Sequence, residues 1–194
     1  TLHTMGFRGE ALPSIAAVSQ VRLKTRVADS ELGVSLSIDG SEVVSQEMCS
    51  CPVGCNFEVR NLFYNVPARR KFLKSNQTEM NNIVQEYERV ALVNPDISFS
   101  LTHGDTLLSK LERGTQRSRV VSVFGKRLDS QLLDVHVETS LANIKGFVGK
   151  PEAARKKNAA QYFFVNGRQV KSPLMLAALE EAYRNQRMVG KFPA

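Results

Sequence analysis

The sequence has no tryptophan, three cysteines and an aromatic content of only 7%. All three cysteines, Cys49, Cys51 and Cys55, fall in one short segment that contains no histidine. A structural zinc site usually takes four ligands, so we expect no metal site and interpret the cysteines as reduced thiols. No apolar run approaches the roughly 20 residues that span a bilayer, and no signal peptide is visible. We therefore expect a cytoplasmic protein without a membrane segment.

What the chain does contain is typical of a globular protein, with 42% hydrophobic and 23% charged residues. Its 194 residues can form one large domain or two small ones. The net charge of +7 favours an anionic partner such as nucleic acid, although basic charge also serves solubility. The basic residues form two clusters, one of Arg60, Arg69, Arg70, Lys71 and Lys74, the other of Arg155, Lys156, Lys157, Arg168 and Lys171. Each cluster fits either a binding surface or ordinary solvated charge.

The hydrophobic periodicity predicts an α+β fold. Helical spacing predicts helices over 10–20, 76–93 and 174–183, and alternation predicts strands over 21–26, 33–40, 42–48, 55–60, 97–101, 106–111, 132–137, 143–148 and 161–165. Residues 119–124 fit either element. Asp39–Gly40 and Asn166–Gly167 are predicted hairpin turns, and Asn76 with Glu79 has the spacing of a capping box. Ser172 is predicted to cap the last helix, with Pro173 at its first position. The polar segment after Leu111 predicts a boundary between domains 1–112 and 113–194.

A short loop bounded by two glycines, Gly6 and Gly9, precedes the first predicted helix. Glycine accepts positive φ and lets backbone amides approach a ligand closely. Amides at a helix start are unpaired and suit phosphate, and Pro13 fits a first helical turn. By physical chemistry alone such a loop is more often a plain connection than a phosphate site.

Three segments resemble signatures of the MutL family of DNA mismatch-repair proteins. They are GFRGEAL at 6–12, NLFYNVPARRKFL at 61–73 and VNGR at 165–168, in the family's order. The resemblance implies the C-terminal part of a GHKL (Bergerat) ATPase α/β sandwich followed by a ribosomal protein S5 domain 2-like domain. It also implies that the chain is an internal fragment of the N-terminal region of a bacterial-type protein.

The resemblance implies two sites. The ATP lid would place its main chain over the phosphates through Gly6, Phe7, Arg8, Gly9, Glu10, Ala11 and Leu12, with a further nucleotide contact at Gly54 and Cys55. The family has threonine where this chain has Cys55, and a thiol is a weaker hydrogen-bond partner than a hydroxyl. The DNA-binding residue of the VNGR motif would be Arg168, and the basic surface would be extended by Lys171, Arg155, Lys156 and Lys157. No catalytic residue is assigned, because the family's general base and its Mg²⁺-binding asparagine lie in a motif that precedes the lid.

The implied function is an ATP-dependent, dimerising clamp in mismatch repair. Its cofactors would be ATP and Mg²⁺, and its partners would be DNA, a MutS-type mismatch sensor and a downstream endonuclease or helicase. We expect ATPase activity in the full-length protein, whereas the fragment alone should neither bind nucleotide tightly nor hydrolyse ATP. Alternatives are another GHKL ATPase of the topoisomerase or chaperone type, or a simple nucleic-acid-binding module. The last would explain the basic clusters but not the lid.

Overall fold

The chain is described from a computed structural model, in which residue 6, residues 8–154 and residues 161–185 are described. It divides into two compact units, Gly6–Glu79 and a second unit that begins at Met80. No helix among the described residues is both long and apolar enough to cross a membrane.

The first unit is built on a four-stranded antiparallel sheet. Its elements are α1 (Ala11–Ala16), β1 (Gln20–Arg26), β2 (Gly33–Asp39), β3 (Glu42–Cys49), β4 (Gly54–Arg60) and a short α2 (Pro67–Arg70). The strand order is β3-β2-β1-β4, so β4 returns past the β2–β3 hairpin to pair with β1. In this register Leu23 lies opposite both Leu36 and Phe57. Strand alternation therefore collects these apolar side chains on one face of the sheet.

The second unit consists of hairpins and helices in sequence. Its elements are α3 (Asn76–Val93, which begins in the first unit), β5 (Phe99–His103), β6 (Thr106–Leu111), α4 (Gln116–Phe124), β7 (Leu132–Glu138), β8 (Asn143–Gly149), β9 (Phe163–Val165), β10 (Arg168–Val170) and α5 (Pro173–Ala182). Within it β5–β6, β7–β8 and β9–β10 are two-stranded antiparallel pairs. Two 3₁₀ helices, Lys126–Gln131 and Pro151–Ala153, were not predicted from the sequence.

Several local predictions are confirmed. Residues 116–124 are helical, which settles the open alternative at 119–124, and Gly125 ends this helix with φ of 101°. Asn166 and Gly167 both have positive φ and join β9 to β10 as a two-residue turn. Ser172 caps α5 by accepting a hydrogen bond from the amide of Met175 at 3.3 Å.

Three predictions of element ends are wrong. The first helix stops at Ala16 and not at residue 20, because Gln20 already belongs to β1. The β2–β3 turn is formed by Gly40 and Ser41, with φ of 54° and 79°, and Asp39 is the last residue of β2. The cap of α3 is Ser75 rather than Asn76, since its hydroxyl accepts a hydrogen bond from the Thr78 amide at 3.3 Å.

The core of the second unit surrounds Leu128, Leu132 and Ala153, onto which α4 packs through Val120, Val121 and Phe124. On the same helix lies Arg119, which is only 1% exposed. Its guanidinium donates to the carbonyl oxygens of Ala91 (3.2 Å), Pro95 (3.2 Å), Ile97 (2.6 Å) and Glu112 (3.1 Å). It also lies 5.2 Å from the centre of the Phe99 ring. One buried side chain thus joins α4 to the end of α3 and to the β5–β6 hairpin.

Candidate functional sites

The predicted lid is an open, exposed loop. Gly9 has a φ of +67°, a conformation that L side chains rarely adopt, and a Cβ at Gly6 or Gly9 would meet nothing within 4 Å. Arg8, Gly9, Glu10, Ala11 and Leu12 are exposed, whereas Phe7 lies outside the described residues. Glu10 occupies the N-cap position of α1 without a side-chain capping bond. The described residues of this loop are therefore exposed to solvent.

The second predicted nucleotide contact lies at the start of β4. Gly54 has a φ of +128°, and nothing lies within 4 Å of a Cβ built there. Cys55 is exposed and lies opposite Thr25 of β1, whose hydroxyl donates to the Gly54 carbonyl at 3.1 Å. The chain from α1 enters β1 at Gln20, which is paired with Arg60 at the other end of β4. The strand register thus puts Cys55 and the end of α1 at opposite ends of β1.

The second signature carries a local network that the sequence did not reveal. The Asp39 carboxylate accepts hydrogen bonds from the Tyr64 hydroxyl and from Nε2 of Gln20, the latter at 2.8 Å. The bond from Tyr64, followed by that from Gln20, holds the pKa of Asp39 below its usual value, and the same contact raises the pKa of Tyr64. Nδ2 of Asn61 donates to Oε1 of Gln20 at 2.6 Å. Residues 61–65 are thereby tied to the β2–β3 turn and to the start of β1.

The basic part of this signature is fully accessible. Arg69, Arg70, Lys71 and Lys74 are all exposed, on α2 and just after it, and none forms an ion pair with another described residue. Phe72 stands among them and is 80% exposed. The structure therefore leaves both earlier interpretations, binding surface and solvated charge, open for this segment.

The predicted DNA-binding residues lie on the β9–β10 hairpin and after it. Arg168 is the first residue of β10, directly after the Asn166–Gly167 turn, and is half-buried. Lys171 is exposed between β10 and the capping residue of α5. Arg155, Lys156 and Lys157 lie outside the described residues. The hairpin thus presents two of the five predicted cations within four consecutive positions.

Lys171 also lines a cleft of about 840 Å³ between α3, the β9–β10 hairpin and the start of α5. The floor of this cleft includes Glu88 and Tyr162. Burial raises the pKa of the Glu88 carboxyl, and a hydrogen bond with Tyr162 offsets part of that shift. Burial, and then the charge of Glu88, raise the pKa of Tyr162. A carboxylate in this position lowers the affinity of the cleft for phosphate whenever it is ionised.

The chain matches known proteins along its whole length. The family described as "DNA mismatch repair protein, C-terminal domain" matches residues 120–194. The DNA mismatch repair protein MutL of Phocaeicola vulgatus is 56% identical over 190 residues, 98% of this chain and 30% of that relative. That of Bacteroides fragilis is 57% identical over 182 residues, 94% of this chain and 29% of that relative. The chain therefore spans about 30% of the length of these curated relatives.

Solved structures with the same fold are repair proteins as well. The Aquifex aeolicus MutL ATPase domain complexed with ADP superimposes with a TM-score of 0.74 and 26% identity, over 94% of this chain and 72% of that chain. The N-terminal domain of a DNA repair protein superimposes with a TM-score of 0.83 at 24% identity, over 100% of this chain and 64% of that chain, and shows the fold alone.

Fold and signatures together define the class of protein: the C-terminal part of a GHKL ATPase α/β sandwich followed by a ribosomal protein S5 domain 2-like domain. The expected α+β fold class is thus confirmed. The chain belongs to the MutL family of DNA mismatch-repair proteins.

Proposed function

We propose that this chain is part of a DNA mismatch-repair protein that binds Mg-ATP beneath the Gly6–Leu12 loop and dimerises when the nucleotide is bound. The observation that carries the proposal is the 56% identity to a MutL protein along 98% of the chain, together with the exposure of the described loop residues. The catalytic and Mg²⁺-binding groups belong to the parent protein. Within this chain the contact to nucleotide is through main-chain donors of the lid, with Gly54 and Cys55 as the second contact.

The test of the lid is a glycine substitution with a matched control in the full-length parent protein. Gly9→Ala and Gly104→Ala both place a methyl group at positive φ, +67° and +56°, with nothing within 4 Å of the new carbon. The backbone strain is therefore similar in the two variants, but only Gly9 belongs to the lid. We expect Gly9→Ala to weaken Mg-ATP binding about tenfold in an equilibrium titration, the factor that corresponds to about 1.4 kcal/mol of backbone strain, and Gly104→Ala to leave it unchanged. Equal affinities for the two variants would count against the lid assignment.

We further propose that Arg168 and Lys171 bind DNA phosphates without regard to sequence. In the basic second cluster Arg168 is held at a defined position, because it begins β10 directly after a tight two-residue turn. Phosphate contacts release counterions, so affinity falls steeply with salt, with a slope of about −0.9 per phosphate neutralised on duplex DNA. Arg155, Lys156 and Lys157 are proposed to extend the same surface.

Charge reversal at a range of salt concentrations tests this interface. In the parent protein, Arg168→Glu should lower affinity for a duplex oligonucleotide and reduce the magnitude of the salt slope by about one. The control is Arg113→Glu, which makes the same charge change at an exposed position outside both basic clusters. If both variants lose the same affinity, the effect is one of net charge and Arg168 is not a contact.

The partners of the parent protein follow from the family. We propose a cytoplasmic homodimer that couples a MutS-type mismatch sensor to a downstream endonuclease or helicase, with domains at 1–112 and 113–194. Light scattering of the parent protein with and without a non-hydrolysable ATP analogue tests the dimerisation. A mass that stays that of one chain at saturating nucleotide would contradict it.

A further inference from the structure

The end of α1 is held by an unusual set of hydrogen bonds. The carbonyl groups of Ala16, the last residue of α1, and of the three residues that follow it, Ala17, Val18 and Ser19, each accept a bond from elsewhere in the first unit. Two donors are main-chain amides of the β2–β3 turn: Ser41 to Ala16 at 3.1 Å, and Gly40 to Ser19 at 3.2 Å. Carbonyls at a helix end have no partner within the helix, so these bonds fix where α1 ends and in which direction it points.

The other two donors come from the second signature. The amide of Phe63 donates to the Val18 carbonyl at 2.6 Å, and Nδ2 of Asn65 donates to the Ala17 carbonyl at 2.9 Å. Between them, the Tyr64 hydroxyl reaches the Asp39 carboxylate beside the turn. We call this set of bonds, from residues 39–41 and 61–65 to residues 16–20, the α1 clamp.

Two residues of the α1 clamp have strained backbone conformations. Asn61 and Phe63 have positive φ angles of 51° and 62°. Asparagine tolerates this conformation, but for a bulky residue such as Phe63 it is a genuine outlier that persists only where its surroundings determine it. Gly40 adds a close approach, because a Cβ there would lie 2.8 Å from the Tyr64 hydroxyl oxygen. The turn therefore packs closely against the signature segment at Gly40, where a side chain has no room.

The clamp acts on the lid through a short connection. Helix α1 has six residues and begins directly after Glu10, so its fixed end leaves little freedom for the point at which the lid begins. We propose that Tyr64 and Asp39 are positioning residues for the nucleotide lid, which hold α1 so that the loop closes over the phosphates at a defined place. This inference rests on the proposed nucleotide function and assigns a role to the second signature within it.

The hydrogen bond from the Tyr64 hydroxyl to the Asp39 carboxylate can be removed without a change to the main-chain bonds of the clamp. Tyr64→Phe deletes only the hydroxyl, and Asp39→Asn keeps an oxygen that can still accept from it. A looser α1 makes the closed lid less favourable in the binding step, whereas chemistry in the closed state is unaffected. We therefore expect Tyr64→Phe to raise the KM for ATP about fivefold in the full-length parent protein and to leave kcat unchanged. A factor of about five corresponds to the net contribution of one hydrogen bond. Asp39→Asn should fall between Tyr64→Phe and the unsubstituted protein.

The matched control is Tyr87→Phe in the second unit, which likewise deletes a hydroxyl, one that bonds to Ser109 Oγ at 3.3 Å. An unchanged KM in Tyr64→Phe, or an equal shift in Tyr87→Phe, overturns the positioning role. A fall in kcat together with the melting temperature, at unchanged KM, also overturns it, since it indicates general destabilisation. The proposed function fails separately: in that case the unsubstituted parent protein does not bind or hydrolyse ATP.

Discussion

Arg119 gives the sharpest stability prediction, because a charged side chain that is 1% exposed makes all of its described hydrogen bonds to main-chain carbonyls. No acidic side chain is among these partners. The perturbation is Arg119→Met, which keeps an unbranched apolar chain of similar length in the core but removes every donor. The carbonyl partners are main-chain groups that no substitution removes, so they lose the guanidinium donors while they remain in place.

The magnitude follows from which carbonyls keep another donor. The Ala91 carbonyl still accepts from the Asn94 amide at 3.3 Å, and the Pro95 carbonyl from the Gly114 amide at 2.9 Å. For the carbonyls of Ile97 and Glu112, Arg119 is the donor among the described residues. A hydrogen bond from a charged donor contributes about 1.5–3 kcal/mol, and the lower value applies to these two bonds because Ile97 and Glu112 are exposed residues. Together the two bonds give a loss of about 3 kcal/mol in the free energy that opposes opening of this region.

Amide hydrogen exchange of the full-length parent protein measures this local free energy, which a global melting curve of a multidomain protein does not. Exchange of peptides covering residues 91–97 and 106–116 should become about a hundredfold faster in Arg119→Met. The control is Arg117→Met on the same helix, where the guanidinium pairs with the exposed Asp129 and Asp134. Exposed pairs contribute at most about 1 kcal/mol. Equal, small effects in the two variants would refute the assignment of the carbonyl network as the main stabilising contact of α4.

Three further substitutions probe other contacts. Burial raises the pKa of Glu88, so the fold favours its protonated form and loses stability as pH rises from the ordinary value near 4.5 through the raised one. Amide exchange in α3 should therefore be slower in Glu88→Gln than in the unsubstituted protein at pH 7 and equal at pH 4. A difference that does not depend on pH would exclude this cause. Gly40→Ala should lower the local stability of the β2–β3 hairpin by about 1–2 kcal/mol, because the residue has positive φ and its new methyl group meets the Tyr64 hydroxyl. Amide exchange of the hairpin measures this loss, and unchanged exchange would show that the turn can rearrange. Cys55→Thr restores the hydroxyl expected in the family and should tighten Mg-ATP binding by the parent protein in an equilibrium titration, with Cys51→Ser as the neutral control; no gain would mean that position 55 does not contact the nucleotide.

Sequence patterns that involve only neighbouring residues predicted the helices and hairpins of the second unit well. Its hairpins and helices are local: the Asn166–Gly167 turn needs two residues at positive φ, and the sequence supplies the two that tolerate it best. Ser172 followed by proline likewise specifies the start of α5 within two positions. The 3₁₀ helix Lys126–Gln131 was missed, because it has no periodic apolar face and depends on the single buried side chain of Leu128.

The first unit was less predictable because its contacts join distant residues. Apolar spacing continues past Ala16 through Val18, yet α1 ends at Ala16, whose carbonyl accepts a hydrogen bond from the distant Ser41 amide instead of from a following turn of helix. The strand order β3-β2-β1-β4 could not be inferred from alternation either, since alternation gives the faces of a strand and not its neighbours.

The difference between local and long-range contacts also explains why a sequence signature identifies a family but does not show which contacts its residues make. The segment 61–73 identifies the family by residue type alone, and its basic half attracts attention because charge is visible in a sequence. Tyr64, in its neutral half, bonds to Asp39, 25 positions earlier, and that pairing exists only because β4 returns to the far side of β1 and delivers residue 61 next to Gln20. The residues that contact the end of α1 through this network are therefore uncharged apart from Asp39, and the role proposed for them in placing the lid rests on geometry rather than on composition.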